Sequence, residues 1–149
     1  MTQQEWLAFL QELDTPGDIE YPSDINIVKS IAKDFELARD AIDKRLELKL
    51  KSTVTQDASF YGDLKKVKDY DHWFSMRFSY FGRLFTVRGT PQSYLDSLPL
   101  TEIINLLEDM KFVYVPMEIL ELPYEGPNKV WRIADDQPPQ WWDRYFSYV

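Results

Sequence analysis

The run from Trp73 to Arg88, WFSMRFSYFGRLFTVR, places the tightest limit on what this chain can fold into. A two-residue loop at Phe81-Gly82 sets Phe78 opposite Phe85 and Met76 opposite Val87. The strand period of two then gathers Phe74, Met76, Phe78, Phe85 and Val87 on one side. Ser75, Arg77 and Ser79 fall on the other side, opposite Leu84, Thr86 and Arg88. Glycine tolerates the backbone of such a turn. Phenylalanine at the first loop position is less suited to it, so a loop of three or four residues around Gly82 is the competing form. A face this apolar has to be buried, which places the hairpin near the centre of a sheet with helices over one side. The second face carries the pair Arg77 and Arg88. It reads as a half-solvated sheet face, or, more sharply, as a place to read an anion.

Helical periodicity surrounds this hairpin. Trp6, Leu7, Leu10 and Leu13 predict a helix over 3–13, stopped by Thr15-Pro16-Gly17. Ser23 or Asp24 caps a second helix whose face is Ile27, Val28, Ile31, Phe35, Ala38, Ile42 and Leu46. The pattern carries it to about Leu50, although Leu46, Leu48 and Leu50 also alternate as a strand would. Residues 51–58 are polar and read as a loop, 59–64 as a strand broken by Gly62, and 65–71 as a charged connector. After Gly89-Thr90-Pro91, a turn at 94–98 leads to a helix over 100–110, with Leu100, Ile103, Ile104, Leu107 and Met110 on one face. A strand at 112–115, a turn at 117–120, a loop at 122–126 and a weak strand at 129–133 follow. Pro138-Pro139 suits the start of a last helix, with Trp141, Trp142, Tyr145, Phe146 and Val149 on one face. The expected architecture is α+β: one domain over residues 1–149, with a mainly antiparallel sheet of about four to five strands packed against three or four helices.

The 149 residues suffice for one core, and no cysteine is present. Disulfides, zinc–thiolate sites, iron–sulfur clusters and cysteine nucleophiles are thereby excluded. No stretch approaches the ~20 apolar residues of a membrane helix. The first residues lack the basic and apolar regions of a secretory signal. A cytoplasmic protein with no membrane partner is the expectation.

Charge is spread unevenly over a net −8. Residues 1–28 hold six acids and no Lys or Arg, residues 29–88 hold thirteen Lys and Arg against nine acids, and residues 89–149 hold ten acids against four. An acidic chain is repelled by nucleic acid and attracted to basic partners. The short run Lys65, Lys66 and Lys68 near Tyr61, Tyr70 and Trp73 is read as a solvated connector, so no nucleic-acid partner is expected.

Catalytic signatures are sparse. His72, the one histidine, lies near Asp69 and Asp71, a pairing able to do acid–base work. More often such a histidine is a surface residue. No GxSxG elbow, calcium loop or phosphate-cradling glycine loop occurs. Asp69 with Asp71, and Asp135 with Asp136, lack metal-site spacing, so no cofactor and no metal are expected. From 102 to 125 the chain carries Glu102, Glu108, Asp109, Glu118, Glu121 and Glu125 against Lys111 alone, with Tyr114, Met117, Leu122 and Tyr124 between them. Acids mixed with apolar anchors suit capture of a basic protein surface. A solvated acidic face is the plainer reading.

Three segments, Phe112-Val-Tyr-Val-Pro116, Leu122-Pro-Tyr-Glu-Gly126 and Trp141-Trp-Asp-Arg-Tyr-Phe-Ser-Tyr148, together with Arg77-Phe-Ser-Tyr-Phe-Gly82, resemble small bacterial proteins of toxin–immunity sets. They cover about a quarter of the chain and are not catalytic motifs. The resemblance implies an acidic cytoplasmic inhibitor that binds a cognate toxin, and it assigns no residue a role. Combined with the charge pattern, it leads to a non-enzymatic binding protein that occludes a basic, nuclease-like partner through Glu118, Glu121, Tyr124 and Glu125. A structural or adaptor subunit of a bacterial or phage assembly is the alternative. A small enzyme built on His72 is the third.

Overall fold

The computed structural model describes residues 1–18, 21–55, 58–130 and 137–148. Five strands form one sheet in the order of the sequence: β1 (Lys51–Val54), β2 (Phe60–Asp69), β3 (His72–Ser79), β4 (Leu84–Thr90) and β5 (Val113–Tyr114). All neighbours are antiparallel except β4 and β5, which run parallel. Six helices occur among the described residues: α1 (Gln3–Leu13), α2 (Ile25–Leu46), α3 (Gln92–Asp96), α4 (Leu100–Asp109), α5 (Met117–Leu120) and α6 (Trp141–Tyr145). The expected α+β class stands, with α3, α5 and α6 each only one turn or so long.

The central hairpin has the expected register, with Phe78 facing Phe85 and Met76 facing Val87. Its loop takes the longer form: four residues, 80–83, separate the strands, with Gly82 and Arg83 both at positive φ. Phe74, Met76, Phe78 and Phe85 are fully buried against Ile31, Phe35 and Ile42 of α2 and Ile103 and Leu107 of α4.

The second face of the sheet corrects the expectation of a wet surface. Leu84 lies there in a second core with Leu10 of α1, Ile119 and Leu120 of α5, and Trp141, Tyr145 and Phe146 of the C-terminal segment. The sheet is thus covered on both sides, and the hairpin is sandwiched rather than capped. Arg77 makes a two-pronged pair with Asp63 at 2.9 and 3.2 Å, and its Nη1 donates to the Phe146 carbonyl. The sharper reading of Arg77 as an anion reader therefore fails for its guanidinium, which is committed inside the fold.

Four element boundaries differ from expectation. Helix α2 ends at Leu46, not Leu50, because Glu47 turns left-handed and the Asp43 carboxylate takes the Leu50 amide. Residues 51–54, expected as loop, form β1, since β2 offers them a partner despite their polarity. The charged connector is the second half of β2: Lys65–Asp69 continue the ladder with β3, Lys66 Nζ donates to the Leu48 carbonyl, and Lys68 and Asp69 are exposed. The last helix stops at Tyr145. Beyond it the backbone opens to pair Ser147 with Ser59 and Tyr148 with Ala58. Pro138 and Pro139 precede this helix, and Gln140 caps it. The expected strand at 129–133 lies mostly outside the described residues, as does Val149.

Candidate functional site

Helices α4 and α5 and strand β5 build the acidic surface. Ile119 and Leu120 anchor α5 in the second core, and the 3.6-residue period then turns Glu118 outward. Phe112, fully packed beside Phe78 and Phe85, fixes the start of β5 and so the position of Tyr114. Between these elements and the start of α1 runs a groove of about 620 Å³, lined by Met1, Gln3, Trp6, Glu108, Tyr114, Pro116, Glu118 and Ile119. It brings two carboxylates, Glu108 and Glu118, to a floor containing Trp6 and Tyr114. Burial, and secondarily the charge of Glu118, hold the Tyr114 phenol above its usual range. An acidic rim over aromatic rings suits a cationic side chain, whose charge meets carboxylates and whose stem or guanidinium lies on the rings.

The four residues expected to bind a partner separate into two settings. Glu118, Glu121 and Glu125 are exposed. Tyr124 is half-buried, and its hydroxyl is spent within the fold, donating to Asp14 Oδ2 at 2.5 Å and accepting from the Asn128 amide. Its ring meets Trp141 edge-on at 4.8 Å. Tyr124 therefore holds the acidic loop in place. Glu108 and Tyr114 come from the same acid-rich stretch as Glu118, whereas Trp6 joins them only through the tertiary fold. Trp6 counts as one of a helix's apolar stripe in sequence, and nothing local marks it as a groove residue.

Beneath this surface lies a buried ion pair with no sequence signature. Arg144 Nε donates to Asp14 Oδ1 at 2.7 Å, and both side chains are essentially inaccessible. Asn128 donates to the same oxygen, and Arg144 Nη2 reaches the Asp18 carbonyl. The guanidinium lies 4.6 Å from the Phe81 ring at the hairpin tip.

His72 and Asp69 do meet: Nδ1 lies 2.8 Å from Oδ1 at the β2–β3 turn, and both are exposed. That contact holds the Asp69 carboxyl below its usual range. Tyr94 packs edge-on to the imidazole. Among the described residues, no group of three or more His, Asp or Glu is arranged to hold a metal ion. No helix among them is long and apolar enough to cross a membrane.

No family model, no curated protein and no solved structure matches the chain.

Proposed function

We propose that the chain is a non-enzymatic protein-binding protein, an immunity-type inhibitor that acts in the cytoplasm by occluding a basic site on a toxin, with no nucleic acid in the complex. The groove carries this reading: Glu108 and Glu118 stand over Trp6 and Tyr114 and suit an arginine or lysine of the partner. Glu121 and Glu125 extend the negative surface and steer the partner's approach, which raises association rate more than it adds final affinity. Tyr124 serves by fixing the loop that carries Glu125. The likeness of the C-terminal segments to toxin–immunity proteins supports the same reading.

The test is capture of partners from the native host by tagged protein at low and moderate salt, followed by activity assays of the captured protein. One basic protein, released as salt rises and inhibited by the chain, supports the proposal. Glu118→Lys with Glu121→Lys should then slow association by about tenfold or more, because a steered encounter becomes a repelled one. Unchanged association in that variant, measured by surface plasmon resonance, would remove the acidic surface from the mechanism.

A further inference from the structure

Strand β1 is the last strand on its side of the sheet and pairs with β2 alone. The Thr55 amide donates to the Tyr61 carbonyl at 2.9 Å, one step further along the register that pairs Lys51 with Lys65. Hydrogen-bonded pairs alternate along an antiparallel ladder. Lys51, Thr53 and Thr55 therefore turn their backbone groups to β2, and Ser52 and Val54 turn theirs outward. Among the described residues, nothing bonds those outward groups. The Leu50 amide, just before the strand, is taken by Asp43, so the open stretch begins at β1. It is accessible: Val54 is 52 % exposed, and Lys51 and Thr53 are exposed.

The two faces of this edge differ in chemistry. Ser52 and Val54 lie on the side of α2, whose Arg39 donates to the Ser52 hydroxyl. Lys51 and Thr53 lie on the other side, opposite Lys65 and Asp63. Like charges directly opposite one another destabilise a sheet, as Lys51 and Lys65 do here. Asp63, the acid on that face, is held by Arg77. Neither lysine has an ion-pair partner among the described residues. Edge lysines discourage pairing with neutral strands. They favour a strand that sets carboxylates beside them. A second copy offers only β1 itself, Lys-Ser-Thr-Val, with no carboxylate, and brings a net charge of −8 against −8.

We propose that β1 is a docking edge for an extended segment of a partner protein in which acidic and apolar residues alternate. The segment adds a sixth strand to the sheet, exchanging backbone hydrogen bonds with Ser52 and Val54. Its side chains alternate between the two faces, as in any strand. The apolar ones lie beside Val54 on the side of α2. The carboxylates lie beside Lys51 and offset the charge that Lys51 and Lys65 place opposite each other. The acidic groove, lined by Tyr114 of β5, is at the other end of the five-stranded order. The docking edge therefore stands independently of the proposed inhibition.

The full chain is titrated with two capped heptapeptides, one alternating glutamate with valine and the other lysine with valine, and followed by backbone amide shifts. Saturable binding of the glutamate peptide is expected, with shifts centred on Ser52, Val54 and Lys65. The lysine peptide should bind about tenfold more weakly. Lys51→Glu, at an exposed position, should weaken the glutamate peptide by about fivefold and strengthen the lysine peptide. Val54→Pro removes an outward amide and no bond between β1 and β2, a place where an edge strand accepts proline. It should weaken the glutamate peptide by about tenfold or more, with the amide shifts of β3 and β4 unchanged. Shifts that fail to saturate, equal binding of the two peptides, or undiminished binding by Val54→Pro would overturn the docking edge. Dimerisation of the free chain at rising concentration, with shifts confined to residues 51–55, would overturn the choice of occupant and give the edge to a second copy.

Discussion

Asp14 accepts from three side chains at once: Arg144, Asn128 and Tyr124. These come from α6 and the loop before it, so one carboxylate ties the end of α1 to the last third of the chain. Removing one partner of a buried pair strands the other charge in a medium that solvates it poorly. Arg144→Met is therefore expected to cost about 3–5 kcal/mol in urea denaturation, and the Asp14→Leu, Arg144→Met double variant less than the sum of its singles. Alkali gives a second test. The Tyr124 phenol is pushed up to about 12, first by burial and then by its bond to Asp14. Unfolded, it titrates near 10. The folded chain thus holds this proton more tightly. Its contribution is complete below pH 10 and disappears as pH rises towards 12. Tyr145, raised mainly by burial, adds to the same trend. Stability should fall across pH 10 to 12, and less steeply in Tyr124→Phe, as followed by thermal melts at each pH. None of this was readable beforehand. Asp14 and Arg144 lie 130 positions apart, and an isolated acid beside Thr15-Pro16-Gly17 reads as part of a helix stop.

Elements were legible where local signals agree. Helix α1 begins and ends as its apolar spacing predicts, and Thr2 and Glu5 close a reciprocal cap at its start. The hairpin register followed from alternation alone, because a slip of one residue would turn every phenylalanine of that face away from the core under α2 and α4. The polar strands were illegible for the opposite reason. In β1 and the outer half of β2, neither face is strongly apolar, so alternation carries little information and pairing partners decide. The end of α2 was misjudged because Leu, Glu and Lys favour helix through Leu50. What stops it is Asp43 reaching forward to the Leu50 amide. Glu47 then holds a left-handed backbone, φ 54°, which glycine adopts at less cost. Glu47→Gly is expected to stabilise the protein by roughly 1 kcal/mol, read as a higher urea midpoint with unchanged slope.

At the scale of the molecule, two cores share one sheet. The core under α2 and α4 is large and aromatic. The other depends on the C-terminal segment, whose Trp141, Tyr145 and Phe146 are each at most 1 % exposed. Deleting residues 137–149 should uncover Leu10, Phe81, Leu84 and Val115 together. The expected result is loss of a single cooperative unfolding transition and strong binding of a hydrophobic dye, checked by calorimetry and fluorescence. The acidic groove belongs to this scale too. Glu108, Tyr114 and Glu118 lie in one acid-rich stretch of the sequence, whereas Trp6 reaches the groove from the far end of the chain. The sequence by itself determined the α+β class, the buried face of the hairpin and the main amphipathic helices, because burial of periodic apolar residues is a local constraint written along the chain. Only the tertiary structure decided that the second face is covered, that Asp14 and Arg144 meet, and that Lys51 faces Lys65 at an edge of the sheet. Those outcomes depend on which distant segments become neighbours, and polar residues gain a role only from the partner they meet.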